Sequence, residues 1–144
     1  MTEFSGKTAV ITGATSGIGL GTVRLLAKQG MRIVACGMGS ADLDPVAAEI
    51  KEAGAEITGL SADLGTLDGW KPLLADIRAQ NGSVDYFVHC ASPKRNEGDT
   101  IFTVSEDTWD GMTNTNVRSG FFLAREIAKD WVEAGKRGSI VFTT

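Results

Sequence analysis

One histidine, one tyrosine, two cysteines and three prolines are all that 144 residues hold of these types, and each scarcity removes a class of function. A single histidine, His89, and two well-separated cysteines, Cys36 and Cys90, give no metal-ligand spacing, so no metal site is expected. Two cysteines cannot form a disulfide framework. Both lie in apolar runs, where a buried thiol is inert, and the expected compartment is reducing and cytoplasmic. No run approaches the roughly 18 to 20 apolar residues of a membrane span. The N-terminal stretch, charged at Glu3 and Lys7, lacks the apolar centre of a secretion signal. Basic residues are also short, 14 Lys and Arg against 18 Asp and Glu for a formal charge of −4. A general nucleic-acid or membrane-surface binder needs a basic face, so neither partner is expected.

What is present is the balance of a single globular domain, 42% hydrophobic and 22% charged, with 18 glycines. Short β-rich runs at 8–12, 31–36, 56–62, 84–89 and 139–143 alternate with helical spacing at 18–29, 44–53, 67–81 and 112–134. Gly30, Gly54, Gly82 and Gly135 stand near the ends of the helical stretches as stop signals. The order βαβαβαβαβ predicts an α/β fold, a doubly wound parallel sheet with helices on both faces. In strand order 3-2-1-4-5, Cys36 and Cys90 would end the two strands flanking the first. Two inter-strand spacings of about 4.8 Å put them beyond disulfide reach.

Three of the glycines, Gly13, Gly17 and Gly19, fall within Thr12-Gly13-Ala14-Thr15-Ser16-Gly17-Ile18-Gly19, where the first strand runs into the first helix. Such a junction makes an anion site. The first glycine permits a sharp turn, the second lets a pyrophosphate approach the backbone, and the third lets the helix pack closely on the sheet. The spacing G-x-x-x-G-x-G is neither the commoner G-x-G-x-x-G nor a P-loop, and the whole string resembles the cofactor fingerprint of the short-chain dehydrogenase/reductase family. The resemblance implies a Rossmann domain that holds NADP or NAD, with Gly13, Thr15, Ser16, Gly17, Ile18 and Gly19 around the pyrophosphate. Ala62-Asp63-Leu64 is similar to the family's Asp-hydrophobic signature, which implies that Asp63 meets the adenine amino group and Leu64 lines the adenine slot. On its own, Asp63 reads as a turn or capping residue.

The fourth strand departs from the family pattern. Where the family usually has Asn-Asn-Ala-Gly, this chain has His89-Cys90-Ala91-Ser92. Only Ala91 matches, although Cys90, Ala91 and Ser92 keep a cofactor-lining place by alignment. His89 reads as filling an asparagine's place at a strand end rather than as a catalytic group. Trp109-Asp110 followed by Asn114-Thr115-Asn116-Val117-Arg118-Ser119-Gly120 resembles the fifth-helix motif, in which Asn116 is the catalytic asparagine that kinks the helix and holds a water for proton relay. Phe121, Phe122, Leu123, Ile127 and Trp131 read as core or subunit interface.

By the same alignment the catalytic serine would follow Thr144. The family's Tyr-x-x-x-Lys is not in the sequence, whose only tyrosine, Tyr86, is followed four residues later by Cys90. The resemblance therefore implies the N-terminal portion of a longer oxidoreductase acting on a carbonyl or alcohol, homo-oligomeric at full length, with residues 1–144 inactive by themselves. A catalytically silent dinucleotide-binding module is the alternative. A methyltransferase with a related sheet finds no support at Asp63 or Asn116. Gly37 stands where an acidic residue would select NAD, and Met38 and Ser16 stand where basic residues would select NADP. The missing carboxylate removes the main barrier to the 2′-phosphate and tips the expectation slightly to NADP. Nothing in these residues names the substrate.

Overall fold

The computed structural model describes residues 2–80, 82–94 and 96–143. Five strands, β1 (Thr8–Thr12), β2 (Arg32–Gly37), β3 (Ile57–Ser61), β4 (Tyr86–His89) and β5 (Ser139–Phe142), form one parallel sheet in the order β3-β2-β1-β4-β5. The helices are α1 (Gly17–Lys28), α2 (Ser40–Glu52), α3 (Trp70–Ala79), α4 (Glu106–Thr113) and α5 (Gly120–Glu133). Residues Asn114–Ser119 form a π-helical turn that joins α4 to α5 without a break. β1 is central and wholly buried, which suits its apolar centre Ala9-Val10-Ile11 between two threonines.

Strand alternation divides the core in two. Ala9 and Ile11 of β1 face Val23 and Ala27 of α1 and Leu43, Val46 and Ile50 of α2. Val10 faces the other way, toward Trp70, Leu73, Leu74 and Ile77 of α3 and Leu123, Ile127 and Trp131 of α5. Fully buried side chains such as Leu73 and Leu123 each contribute about 1.5–3 kcal/mol. Of the residues expected in core or interface, Leu123, Ile127 and Trp131 are buried and Phe121 is exposed. Phe122 stacks on Trp70 with ring centroids 5.1 Å apart.

Three helix boundaries differ from those the sequence suggests. α2 begins one turn before Asp44 and keeps Pro45 inside it, because Leu43 must be helical to bury itself against Gly37 and Gly59. α3 starts at Trp70 rather than 67, after a turn in which a Cβ on Gly69 would run into the Asp63 carbonyl; its suggested end at 81 lies outside the described residues. The suggested helix 112–134 is instead α4, the π turn and α5. α4 starts early because Ser105 caps it, its hydroxyl accepting the Thr108 N–H at 3.1 Å, with Glu106 and Asp107 in the first turn.

At the N-terminal ends of the strands, Asp85 ties three elements together. One oxygen accepts the Thr8 N–H at 2.8 Å, and the other lies 2.8 Å from Lys136 Nζ and 3.6 Å from Lys7 Nζ. Burial pushes this carboxyl up, but the Lys136 bond, the Thr8 N–H and the two ammonium charges together hold it below the ordinary carboxylate value. The opposite ends of β1 and β4, where the chain leaves toward different faces of the sheet, form the crevice in which such sheets bind ligands.

Candidate functional site

The glycine turn is built by backbone contact. Gly13 follows β1 with φ +66, and a Cβ there would lie 2.6 Å from the Cys90 carbonyl oxygen. The turn hangs on β2 through the Ala14 N–H, which donates to the Cys36 carbonyl at 3.1 Å. A Cβ on Gly19 would overlap the Gly13 carbonyl. The third glycine therefore lets α1 fold back onto the turn itself, rather than onto the sheet as its sequence position suggested. Gly17 differs from both: its φ is +51, yet apart from its own chain neighbours and helix backbone no atom lies within 4 Å of where its Cβ would be. Nothing in this chain needs that space. Ser16, the N-cap of α1, makes no side-chain capping bond, and Ser16, Gly17 and Ile18 are all exposed.

Around this turn lie the other sequence-derived positions. Thr15 packs by its methyl group against Gly37, where a Cβ would sit 3.0 Å from it and 3.3 Å from Leu43; Met38 beside it is exposed. Asp63 is exposed, and one carboxylate oxygen accepts the Gly65 N–H at 2.9 Å, the turn role its residue type suggests. Leu64 is buried in the core with Trp70. Cys90 and Ala91 are partly buried and Ser92 is exposed. Cys36 and Cys90 are both free thiols, and burial, with a smaller contribution from Asp76, pushes Cys36 up to about 12. Among the described residues no three His, Cys, Asp or Glu side chains converge to hold a metal ion.

A chain of hydrogen bonds joins the end of β1 to the π turn. His89 is 1% exposed, with Nε2 2.9 Å from the Thr115 carbonyl and Nδ1 2.8 Å from Thr12 Oγ1. A carbonyl only accepts, so Nε2 carries the proton and Nδ1 accepts from the Thr12 hydroxyl. Thr12 Oγ1 in turn accepts the N–H groups of Cys90 and Ala91, both at 3.2 Å. Burial pulls the imidazole pKa below its ordinary value, against the backbone bonds to Thr115 and Asn116, and so favours the neutral ring.

The other side of the π turn grips the loop after β3. Asn114 Nδ2 donates to the Gly65 carbonyl, Arg118 Nε to that of Leu67, and Ser119 Oγ to that of Leu64, each at 3.0 Å. Between these two anchors sits Asn116, whose side-chain oxygen is buried without a protein partner. Leaving such an atom unsatisfied costs about 1–3 kcal/mol, so it calls for a donor. The resemblance pointed to Asn116 and to a kinked helix there, but not to the π-helical form of the break or to the gripping role of Asn114, Arg118 and Ser119. The only local sign was the polar run Asn114-Thr115-Asn116 inside a helical stretch.

A family model described as short chain dehydrogenase matches residues 7–144. The 2-dehydro-3-deoxy-D-gluconate 5-dehydrogenase of Escherichia coli is 34% identical over 139 residues, covering 96% of this chain and 53% of that protein. An uncharacterised oxidoreductase of Staphylococcus haemolyticus is 33% identical, covering 98% of this chain and 59% of its own length. Among solved structures, a metagenomic short-chain oxidoreductase in complex with NADP superposes with a TM-score of 0.87 at 30% identity, covering 96% of this chain and 61% of that one. L-sorbose reductase from Gluconobacter frateurii, complexed with NADPH and L-sorbose, gives 0.81 at 30% identity, covering 92% and 50%. The chain thus spans between half and three-fifths of the length of these relatives. With the sheet order, the glycine turn and the family match over residues 7–144 in agreement, the chain belongs to the short-chain dehydrogenase family.

Proposed function

We propose that the protein is an oxidoreductase that uses NADP(H), and less readily NAD(H), on a small carbonyl or alcohol compound. The observation that carries this is Gly17: a left-handed glycine beside open space, at the uncapped start of α1 and at the ligand end of β1. Gly13 and Gly19 are explained by the chain's own packing, whereas at Gly17 the left-handed φ favours glycine and the open space beside it leaves room for a ligand. The N-terminus of α1 presents unpaired N–H groups and roughly half a unit of positive charge, which suits a pyrophosphate. Gly13, Thr15, Ser16, Gly17, Ile18 and Gly19 would hold it. Asp63 would accept from the adenine amino group, Leu64 would back the adenine ring, and Cys90, Ala91 and Ser92 would border the cofactor beyond the pyrophosphate.

When bound, the nicotinamide supplies the hydride donor or acceptor. Asn116 would contribute to the accompanying proton movement, its buried oxygen accepting from a water that passes the proton on. The preference for NADP rests on Gly37, where Thr15 and Leu43 already fill the space a carboxylate-bearing side chain would enter. The relatives support a small substrate, one being named for 2-dehydro-3-deoxy-D-gluconate and another complexed with L-sorbose. The domain reading remains that of a Rossmann unit continuing into a longer, homo-oligomeric enzyme. Among the described residues no helix is long and apolar enough to cross a membrane.

A second reading is a dinucleotide-binding module without turnover, which the open space at Gly17 and the uncapped start of α1 support equally. Because residues 1–144 are expected to be inactive by themselves, the test is to titrate the full-length protein with NADPH and then assay carbonyl-dependent NADPH oxidation. Binding with oxidation supports the enzyme reading, binding without it supports the module, and no binding removes both.

A further inference from the structure

His89 is the sequence's only histidine, and its ring touches two parts of the site that are far apart in the chain. Its Nδ1 partner, Thr12, closes β1 and holds the N–H groups of Cys90 and Ala91. Its Nε2 partner is the carbonyl of Thr115, the residue before Asn116. The ring also claims the space above the start of α5. A Cβ on Gly120 would lie 2.6 Å from His89 Cδ2 and 2.8 Å from Nε2, so residue 120 must be glycine for the imidazole to stand where it does. Phe142 of β5 packs against the ring with centroids 5.3 Å apart and closes the remaining side. Every polar atom of the imidazole is used, and its exposure is 1%.

We propose that His89 is a positioning residue: its imidazole spans from the end of β1 to the π turn and fixes where the Asn116 carboxamide lies. The physical reason lies in the turn. In a π turn the backbone is wider than an α-helix and less favourably bonded, so it persists where side chains from outside hold it open. His89 holds it from the sheet side by the Thr115 carbonyl, while Asn114, Arg118 and Ser119 hold it from the loop side. Releasing the Thr115 carbonyl frees the turn to tighten, which rotates Asn116 away from the place where its buried oxygen now sits. The functional value of that placement rests on Asn116 acting in proton relay, but the mechanical tie does not.

The test uses the single histidine as its own reporter. In 15N-labelled protein, the imidazole should give one neutral, slowly exchanging pattern with Nε2 protonated and Nδ1 bare. A ring protonated at Nδ1, or one averaging between tautomers, overturns the proposal. His89→Phe fills the space without nitrogen and should shift the Asn116 side-chain amide resonances. His89→Gln, which keeps a donor near the Nε2 position, should bring them back toward wild type. Ile50→Val removes a methyl group from the α2 side of the core and should leave them in place at comparable stability loss. Should His89→Phe fail to fold, Gly120→Ala displaces the ring from the other side and should move the same resonances. Unmoved Asn116 signals in these variants, or equal movement in Ile50→Val, overturn the proposal. NADPH titration of the same samples separates the two questions: wild-type protein that binds no NADPH but shows the expected Nε2–H ring and Asn116 response retains the tie and loses the dinucleotide reading.

Discussion

Gly17→Val separates what the glycine turn does for the fold from what it does for a ligand. Gly17 has φ +51 and, apart from its own chain neighbours and helix backbone, nothing within 4 Å of where a Cβ would be, so a side chain meets no other part of the protein. The expected stability cost is that of a left-handed L-residue, about 1–2 kcal/mol for Ala and somewhat more for a β-branched side chain. At this chain length that lowers Tm by about 3 to 8 °C. The cost to binding is larger. A valine fills the approach of a pyrophosphate to the backbone, and losing two charge-assisted N–H bonds of about 1.5–3 kcal/mol each weakens NADPH binding by at least about 100-fold. Gly13→Val is the control, because its Cβ would lie 2.6 Å from the Cys90 carbonyl and the fold itself must give way. NADPH fluorescence titration and thermal unfolding of both variants decide the matter. Gly17→Val that binds within about threefold of wild type, or that unfolds as readily as Gly13→Val, refutes the reasoning.

Gly37→Asp should shift the ratio of NADPH to NADH affinity toward NADH by about tenfold or more, with a stability loss of about 1–2 kcal/mol from crowding Thr15 and Leu43; parallel calorimetric titrations measure both. Because burial holds the His89 pKa below its ordinary value of 6.5, the unfolded chain takes up the proton first. The stability His89 contributes is complete above about pH 6.5 and falls as pH is lowered beyond it. Urea unfolding between pH 7 and 5 should show this loss, and His89→Gln should flatten it. Asp85→Ala should cost about 1–3 kcal/mol, since it strands the Thr8 N–H and removes the ion pair of Lys136, which keeps the Ser83 hydroxyl and the Val84 carbonyl. As the Asp85 carboxyl is held below its ordinary value, its contribution is present above about pH 4 and lost as pH falls further, which acid unfolding of wild type and variant would show.

The sheet was legible because its signals are local. Each strand is a short β-rich run whose alternation with helices predicts a doubly wound parallel sheet, and the order expected of a Rossmann domain, β3-β2-β1-β4-β5, is the one the structure shows. The start of α4 was harder to see, since Ser105 and its acidic first turn precede a stretch with Gly111 and no buried residue to give it a period. The π turn had only a faint local sign, the polar run Asn114-Thr115-Asn116, because it is held by partners about 50 residues away in the loop after β3. The same applies to His89. Its type and place at a strand end were visible, but the bond to Thr12 spans 77 residues and the one to Thr115 spans 26. Gly19 shows the reverse case: the sequence identified it as a site of close approach, and the structure supplies a different neighbour, the Gly13 carbonyl.

The central claim, that the turn over residues 12–19 is a nicotinamide-dinucleotide site, is met most directly by calorimetric titration of the protein with NADPH and with NADH. Saturable binding at one site per chain, with NADPH at least as tight as NADH and both abolished by Gly17→Val, is the result predicted. Absence of binding to either nucleotide by folded protein, or binding that Gly17→Val leaves unchanged, would contradict it.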